Sequence, residues 1–350
     1  MKKIFALLLL FALLLSLAAC GPINKSEVAV IVSDAGDDFL AEMQDALDRA
    51  MYIKNIRYRH YDAEGDAITL LSLCDDAIEA GAPALVVNAT DAVTASLVAA
   101  KAKDAGIPLI FLCNDSAILD VAMLGYEKCY AVNVDTASLY KTLGEKVAED
   151  LLEGYEAFDR NKDGKITYAA FGTSASAVAT VDGKLTAAGK PALVCGTTLP
   201  TLPTVGVGTT VSTLFLGYDG TGKDVNATPV ELILTDDDAY LPELLLSLRA
   251  FHLNHEKLVT HKIPLYTVGI AQNAGVLLDS DNPEEKAAYS VMSTIDAGYV
   301  EAAALENDDE LALATATILS NLFKGKEATA GIDAEYVSNR LILVPYTIYE

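Results

Sequence analysis

Apolar runs and helical stretches alternate along the first third of the chain, and that alternation leaves few folds open. Residues 26–34 form a buried strand centred on Val28-Ala29-Val30-Ile31-Val32. Asp37-Asp38-Phe39 then opens a helix reaching about residue 51, with its acids at the end the helix dipole favours. A strand over 56–61 follows, then a helix over 66–80 closed by Gly81, a strand over 84–88, a helix over 90–105 closed by Gly106, and a strand over 107–113. Strands recurring about every 25 residues with helices between them predict a parallel, doubly wound sheet.

A second set repeats the pattern. Strands are expected over 130–134, 166–171, 192–195, 231–235, 263–269, 288–296 and 341–349, with helices over 136–153, 175–188, 239–253 and 297–323. The stretch 197–227, rich in Thr, Gly and Pro, carries no clear element. With 350 residues the chain is long enough for two cores. The expected fold class is α/β, with two doubly wound parallel-sheet lobes joined by a hinge. Ligands of such sheets bind at the carboxyl ends of the strands. The expected division is a leader over 1–19, a first lobe from 26–134 plus 296–326, and a second from 135–295 plus 327–350.

The amino terminus is a targeting signal. Lys2 and Lys3 precede an unbroken run of apolar and small residues from Ile4 to Ala19, too short for a spanning helix. It ends in Leu17-Ala18-Ala19-Cys20, which is similar to a bacterial lipobox. That similarity implies lipidation at Cys20 and a mature chain anchored to the outer face of the membrane; the alternative is an ordinary signal peptide with a chance cysteine. The formal net charge is −24, and −26 once Lys2 and Lys3 are gone. Such a surface repels nucleic acid and anionic membranes. Cys74, Cys113, Cys129 and Cys195 match no zinc spacing, and the sequence does not fix whether they pair.

Asp159-Arg160-Asn161-Lys162-Asp163-Gly164-Lys165-Ile166-Thr167 sets side-chain oxygens at the first, third and fifth places of a loop, with glycine at the sixth. That is the first half of a calcium loop. Lys165 would add its carbonyl and Thr167 a hydroxyl or a water. The twelfth place, a bidentate Glu in an EF-hand, is Ala170. By itself the stretch is equally a half-site needing a distant carboxylate or a solvated turn. Asp236-Asp237-Asp238 reads as a helix cap or as a site for a cation or polar ligand, and His252 and His255, three apart, as a solvated helix end in preference to a metal site, since no third ligand is near in sequence. There is no Gly-rich phosphate loop, nucleophile elbow or His-containing triad, so no enzyme is expected.

In this order the pieces resemble the periplasmic sugar-binding proteins of ABC importers, the galactose/glucose-binding type above all. The resemblance rests on Asp37-Asp38-Phe39, Ile107-Pro108-Leu109-Ile110-Phe111, the stretch 130–135, Asp236-Asp237-Asp238-Ala239 and Val344-Pro345-Tyr346, and most specifically on the loop at 159–167. It implies a type I periplasmic binding protein-like fold. It also implies a structural calcium ion held by Asp159, Asn161, Asp163, Lys165, Thr167 and, as the distant carboxylate, Glu231. A small polar ligand, a monosaccharide such as galactose or glucose, is implied between the lobes, with Asp37, Phe39, Asn114 and Asp237 as its contacts. The implied partners are a membrane permease and its cytoplasmic ATPase; a lipoprotein presenting its ligand to a membrane receptor without transport is the alternative. The family's sugar site is incompletely matched. Its His, Asp and Arg cluster falls on Gly172-Thr173-Ser174-Ala175-Ser176-Ala177-Val178, its Asp after Tyr266-Thr267-Val268 on Gly269, and its Asn before the last crossing on Ile295. Each lost charged partner commonly removes about 1.5–3 kcal/mol.

Overall fold

The computed structural model describes residues 26–114, 125–160, 162–171, 175–190, 192–194, 206–214, 230–235, 240–251, 253–254, 263–269, 276–277, 288–289 and 291–350. Strand β1 (Val28–Val32) is buried along its whole length. It lies parallel to β2 (Tyr58–Asp62) and β3 (Leu85–Val87), and β4 (Leu109–Leu112) and β5 (Cys129–Val134) continue the sheet. Helices α1 (Asp38–Lys54), α2 (Ala67–Glu79) and α3 (Ala92–Ala105) connect the first four strands. Each begins at an aspartate whose carboxylate accepts backbone N–H groups: Asp37, Asp66 and Asp91. Successive β1 residues serve opposite faces. Val28 and Val30 join a core with α1, while Ala29 and Ile31 join one with α2 and α3. A strand buried on both faces is the reason the run is apolar throughout.

The second lobe has the same construction. Helix α4 (Thr136–Glu153), capped by Asp135, and the short α5 (Tyr155–Phe158) lead to β6 (Ile166–Phe171). Then come α6 (Ala175–Ala187), β7 (Ala192–Val194), α7 (Val207–Leu214), β8 (Leu232–Thr235), α8 (Leu241–Ala250) and β9 (Leu265–Gly269). A two-stranded antiparallel ladder, β10 (Val276–Leu277) with β11 (Ala288–Tyr289), precedes α9 (Val291–Asp296) and β12 (Ala302–Leu305). The chain ends with α10 (Asp308–Phe323), β13 (Val337–Ser338), β14 (Leu341–Val344) and β15 (Thr347–Tyr349). The first sheet has the order β13-β14-β5-β4-β3-β1-β2 and the second β15-β12-β9-β8-β6-β7. Every pairing in them is parallel except β13 with β14 and β12 with β15. The two-lobe, doubly wound α/β expectation therefore holds.

Three expectations near the carboxyl terminus do not. Residues 288–296 are not one strand, because α9 takes over at Val291. Residues 297–323 are not one helix, because Ala302-Ala303-Ala304-Leu305 is strand β12. Alanine favours helix by propensity, but here the small side chains lie fully buried between β9 and β15, and sheet packing overrides propensity. Residues 341–349 are two strands in different sheets, separated at Pro345, which cannot donate to a ladder. The lobe boundaries move accordingly. Of the segment 296–326 expected in the first lobe, β12 belongs to the second sheet. Of 327–350 expected in the second, β13 and β14 belong to the first.

Candidate functional site

The chain passes between the sheets three times: from β5 into α4, from β12 into α10, and from β14 into β15. Hydrogen bonds join these crossings. Asp135 N–H donates to the Val344 carbonyl at 2.7 Å, and Ser138 Oγ donates to the Asp135 carbonyl at 2.7 Å. Tyr346 N–H reaches Ser138 Oγ at 3.4 Å, and the Tyr346 hydroxyl donates to Glu306 Oε1 at 3.0 Å. Three separate crossings thus share one bonded junction, the geometry of a hinge made from element ends.

Around this junction lie the carboxyl ends of the strands. Ser33 Oγ donates to Asn88 Oδ1 at 2.6 Å, and Asn88 Nδ2 donates to the carbonyls of Leu112 and Cys113, each at 3.1 Å. Asn114 is buried, and its amide is engaged at both ends by Ala89: Nδ2 donates to the carbonyl at 2.8 Å and Oδ1 accepts the N–H at 3.2 Å. Asn133 Nδ2 donates to the Asn114 carbonyl. Asn114 therefore locks β3 to β4 and positions the backbone around it. Asp37 is exposed and spends Oδ1 on the Leu40 N–H at 2.9 Å. Phe39 is half-buried against the first-lobe core. Asp237 lies outside the described residues, as do Cys20, Asn161, His252, His255 and Cys195.

The crossing from β12 carries two carboxylates that the sequence reading missed. Glu306 is 6% exposed and Asp308 4%, and Asp308 Oδ1 has no hydrogen-bond partner. Burial pushes the Asp308 carboxyl up to about 7, reinforced by Glu42 and Asp309 and opposed by Arg49. Cys113, held at φ 53° at the end of β4, has its thiol pushed well up by burial and then by the charges of Glu306 and Asp308. Cys74, Cys113 and Cys129 are in no disulfide.

The loop at 159–167 sits away from the junction, at the amino end of β6. Lys162 and Gly164 take left-handed φ angles of 59° and 82°. Asp159 Oδ1 accepts from the Asp163 N–H at 3.1 Å, Asp159 Oδ2 from the Gly164 N–H at 2.9 Å, and Asp163 Oδ1 from the Lys165 N–H at 2.9 Å. Glu231, fully buried, comes to the loop from the start of β8. Its Oε1 accepts the Arg160 N–H at 2.6 Å and its Oε2 the Thr167 N–H at 2.9 Å. The Thr167 hydroxyl is buried with no hydrogen-bond partner. The structure thus brings Asp159, Asp163, Lys165, Thr167 and Glu231 into one segment. Among the described residues, no three or more His, Cys, Asp or Glu side chains form a group positioned for a metal ion.

Residues 28–186 match the family model described as periplasmic binding protein domain. Among solved structures, the chain superposes on a mutant form of the XylFII-LytSN complex with a TM-score of 0.55 and 11% identity, covering 93% of this chain and 98% of that one. It superposes on the periplasmic binding component of the arabinose ABC transporter from Shewanella sp. ANA-3, bound to arabinofuranose, with a TM-score of 0.52 and 12% identity over 92% and 91%. The protein has the type I periplasmic binding protein fold. A galactofuranose binding protein shows the same likeness, with a TM-score of 0.50 and 12% identity over 92% and 94%. No curated protein matches the chain.

The crossings correct the sequence reading. The last crossing out of the second sheet was expected near Ile295, but it follows Leu305, so its polar residue is Glu306. Ile295 lies in α9 and is buried in the second-lobe core. Gly269 has its own explanation. A Cβ there would overlap Leu305 Cδ2 and lie 3.4 Å from Val291 Cγ2, so the acidic side chain expected at this place has no room. The misreading had one source, the alanine run that looks helical; a Glu directly after a short all-apolar run was the signal available.

Proposed function

We propose that the protein is an exported, lipid-anchored solute-binding component of an ABC importer, and that it captures a small polar ligand, a monosaccharide, between its two lobes. The observation that carries this reading is the bonded junction of three crossings beside the carboxyl ends of two doubly wound sheets. Ligands of such sheets bind at those ends, and a hinge of this kind lets two lobes close on them. Neighbours of the same fold include an arabinose transporter component and a galactofuranose binding protein, which supports a sugar. Asp37, Phe39 and Asp237 are the proposed contacts from the sequence reading, with Asn114 positioning the β3 and β4 ends. An exposed carboxylate accepts sugar hydroxyls and an aromatic face stacks on a sugar ring. The lipobox-like Leu17-Ala18-Ala19-Cys20 supports attachment through a lipid on Cys20; no helix among the described residues is long and apolar enough to cross a membrane.

A structural calcium ion belongs to the same reading. Asp159, Asn161, Asp163, Thr167, Glu231 and the Lys165 carbonyl supply hard oxygen donors, and the buried, partnerless Thr167 hydroxyl fits a loop built around a cation. Bound there, calcium would tie the loop to β8 and add its binding free energy to stability. Calorimetric titration of D-glucose and D-galactose into calcium-loaded mature protein tests the ligand. Micromolar heat with either sugar supports the sugar reading, and no heat with either rejects those two as ligands. Chelator treatment tests the ion: an unchanged melting temperature rejects it.

A further inference from the structure

We infer that the ligand carries a protonated amine, as an amino sugar does, and that Glu306 and Asp308 at the crossing out of β12 receive it. This rests on the reading that ligand binds beside the crossings, and it narrows the ligand from neutral sugar to cationic sugar.

The strand-end segments 33–38, 63–66, 88–91, 113–114, 135 and 306–309 contain many acids and no Lys or Arg. Much of that has a structural cause. Asp37, Asp66, Asp91 and Asp135 cap helices, and helix starts favour acids. Asp308 shares that cause in part, since it lies in the first turn of α10, whose cap is Asn307 with its Oδ1 accepting the Glu310 N–H; Glu306 precedes the cap and stands outside it. Both are more than nine-tenths buried, and Asp308 Oδ1 has no hydrogen-bond partner.

The groups around Asp308 do not neutralise it. Glu42 on α1 and Asp309 on α10 are acids. Among the described residues, Arg49 on α1 is the one cation acting on it, and that guanidinium is committed to Asp309 at 2.8 Å. Asp308 joins none of the ion pairs among the described residues. Cys113 at the β4 end brings no counter-charge, since burial and then the charges of Glu306 and Asp308 keep its thiol neutral. A buried carboxylate without a counter-charge is costly unless something compensates it. A neutral sugar offers only hydroxyls. An ammonium group offers three donors and the missing charge. Its arrival would also favour the Asp308 carboxylate, so a proton leaves Asp308 for solvent as the amine binds near neutral pH.

The test is calorimetric titration of D-glucosamine and D-galactosamine beside D-glucose and D-galactose, in two buffers of different ionisation heat, at about pH 6.5. The proteins are wild type, Asp308→Asn and Glu306→Gln. Glu306→Gln keeps an acceptor for the Tyr346 hydroxyl, and Asp308→Asn keeps shape. The expected result is that wild type prefers an amine over its neutral parent by at least about tenfold, that the preference falls towards unity in both variants, and that the buffer-dependent heat disappears in Asp308→Asn. A neutral parent binding as tightly as its amine overturns the inference and leaves the sugar reading standing. An amine preference kept in both variants overturns the assignment to these residues. No heat from any of the four sugars overturns the inference and rejects those four as ligands. If a variant fails to fold, the wild type still decides: an amine preference of at least about tenfold supports the inference and its absence overturns it.

Discussion

Glu231 and Asp308 are both buried carboxylates, one beside the loop at 159–167 and one at the crossing out of β12, and their surroundings are opposite. Glu231 has a backbone N–H on each oxygen, from Arg160 and Thr167, and joins a loop to a strand far away in sequence. Asp308 has an oxygen with no partner and acids on two sides. A satisfied buried charge holds structure together; an unsatisfied one weakens the fold and persists where a ligand can complete it. The second lobe invests its carboxylate in rigidity, while the crossing keeps its own available.

The largest effect expected from this contrast is at Glu231. Glu231→Ala removes two charge-assisted hydrogen bonds and leaves the Arg160 and Thr167 N–H groups without them, which should cost on the order of 3 kcal/mol of unfolding free energy. Urea denaturation measures it, and a loss under about 1 kcal/mol would mean the tie is not structural. In calcium-containing buffer a chelator should lower the wild-type melting temperature and leave that of Glu231→Ala unmoved.

The same contrast explains what could be read from the chain before its structure. The first lobe was legible because its strands are uniformly apolar and its helices open on aspartate caps, so pattern and fold agree. Glu231 was reachable because a half-built loop calls for a distant carboxylate and the resemblance to the sugar-binding proteins implied where it stands. Glu306 and Asp308 were not, because β12 is three alanines and a leucine, and its strand character comes from the neighbours β9 and β15 and not from its own residues. Asn114 looked like a ligand group by position; only the geometry shows its amide committed to Ala89.

Gly269 sharpens the comparison from the crossing side. Gly269→Ala would force Leu305 aside just before Glu306 and should cost about 2 kcal/mol by overpacking. Its more telling readout is ligand binding: affinity should fall with it, whereas Glu231→Ala should lose stability with affinity kept in the folded fraction. If Gly269→Ala binds ligand like wild type, the crossing is not part of the site.

Asp308→Asn should have the opposite sign. The carboxyl is pushed up to about 7 against an ordinary 3.8, so between those values the folded protein holds a proton the unfolded chain has released. The group favours folding most at low pH, and that contribution is lost as pH rises through about 7. Asparagine cannot charge, so Asp308→Asn should be more stable than wild type at about pH 8, by on the order of 1 kcal/mol, and should lose the advantage as pH falls towards 4. Thermal unfolding across that range checks it. A variant less stable than wild type at every pH would mean that the carboxylate has a partner holding it in place.

The smallest change is the most discriminating. Arg49 and Asp309 are an exposed pair, with side chains 59% and 76% accessible, and such pairs contribute about 0–1 kcal/mol. Arg49→Ala should therefore barely alter stability at about pH 5, where Asp308 is protonated in the folded state. At higher pH the loss should grow, because Arg49 is the one described group lowering the Asp308 carboxyl and its removal pushes that carboxyl further up. Measured by the same pH series, the variant separates a surface ion pair from a charge that tempers a buried one. A loss independent of pH would mean that Arg49 acts only on Asp309, and that the acidity of the crossing is set entirely by burial and by its neighbouring acids.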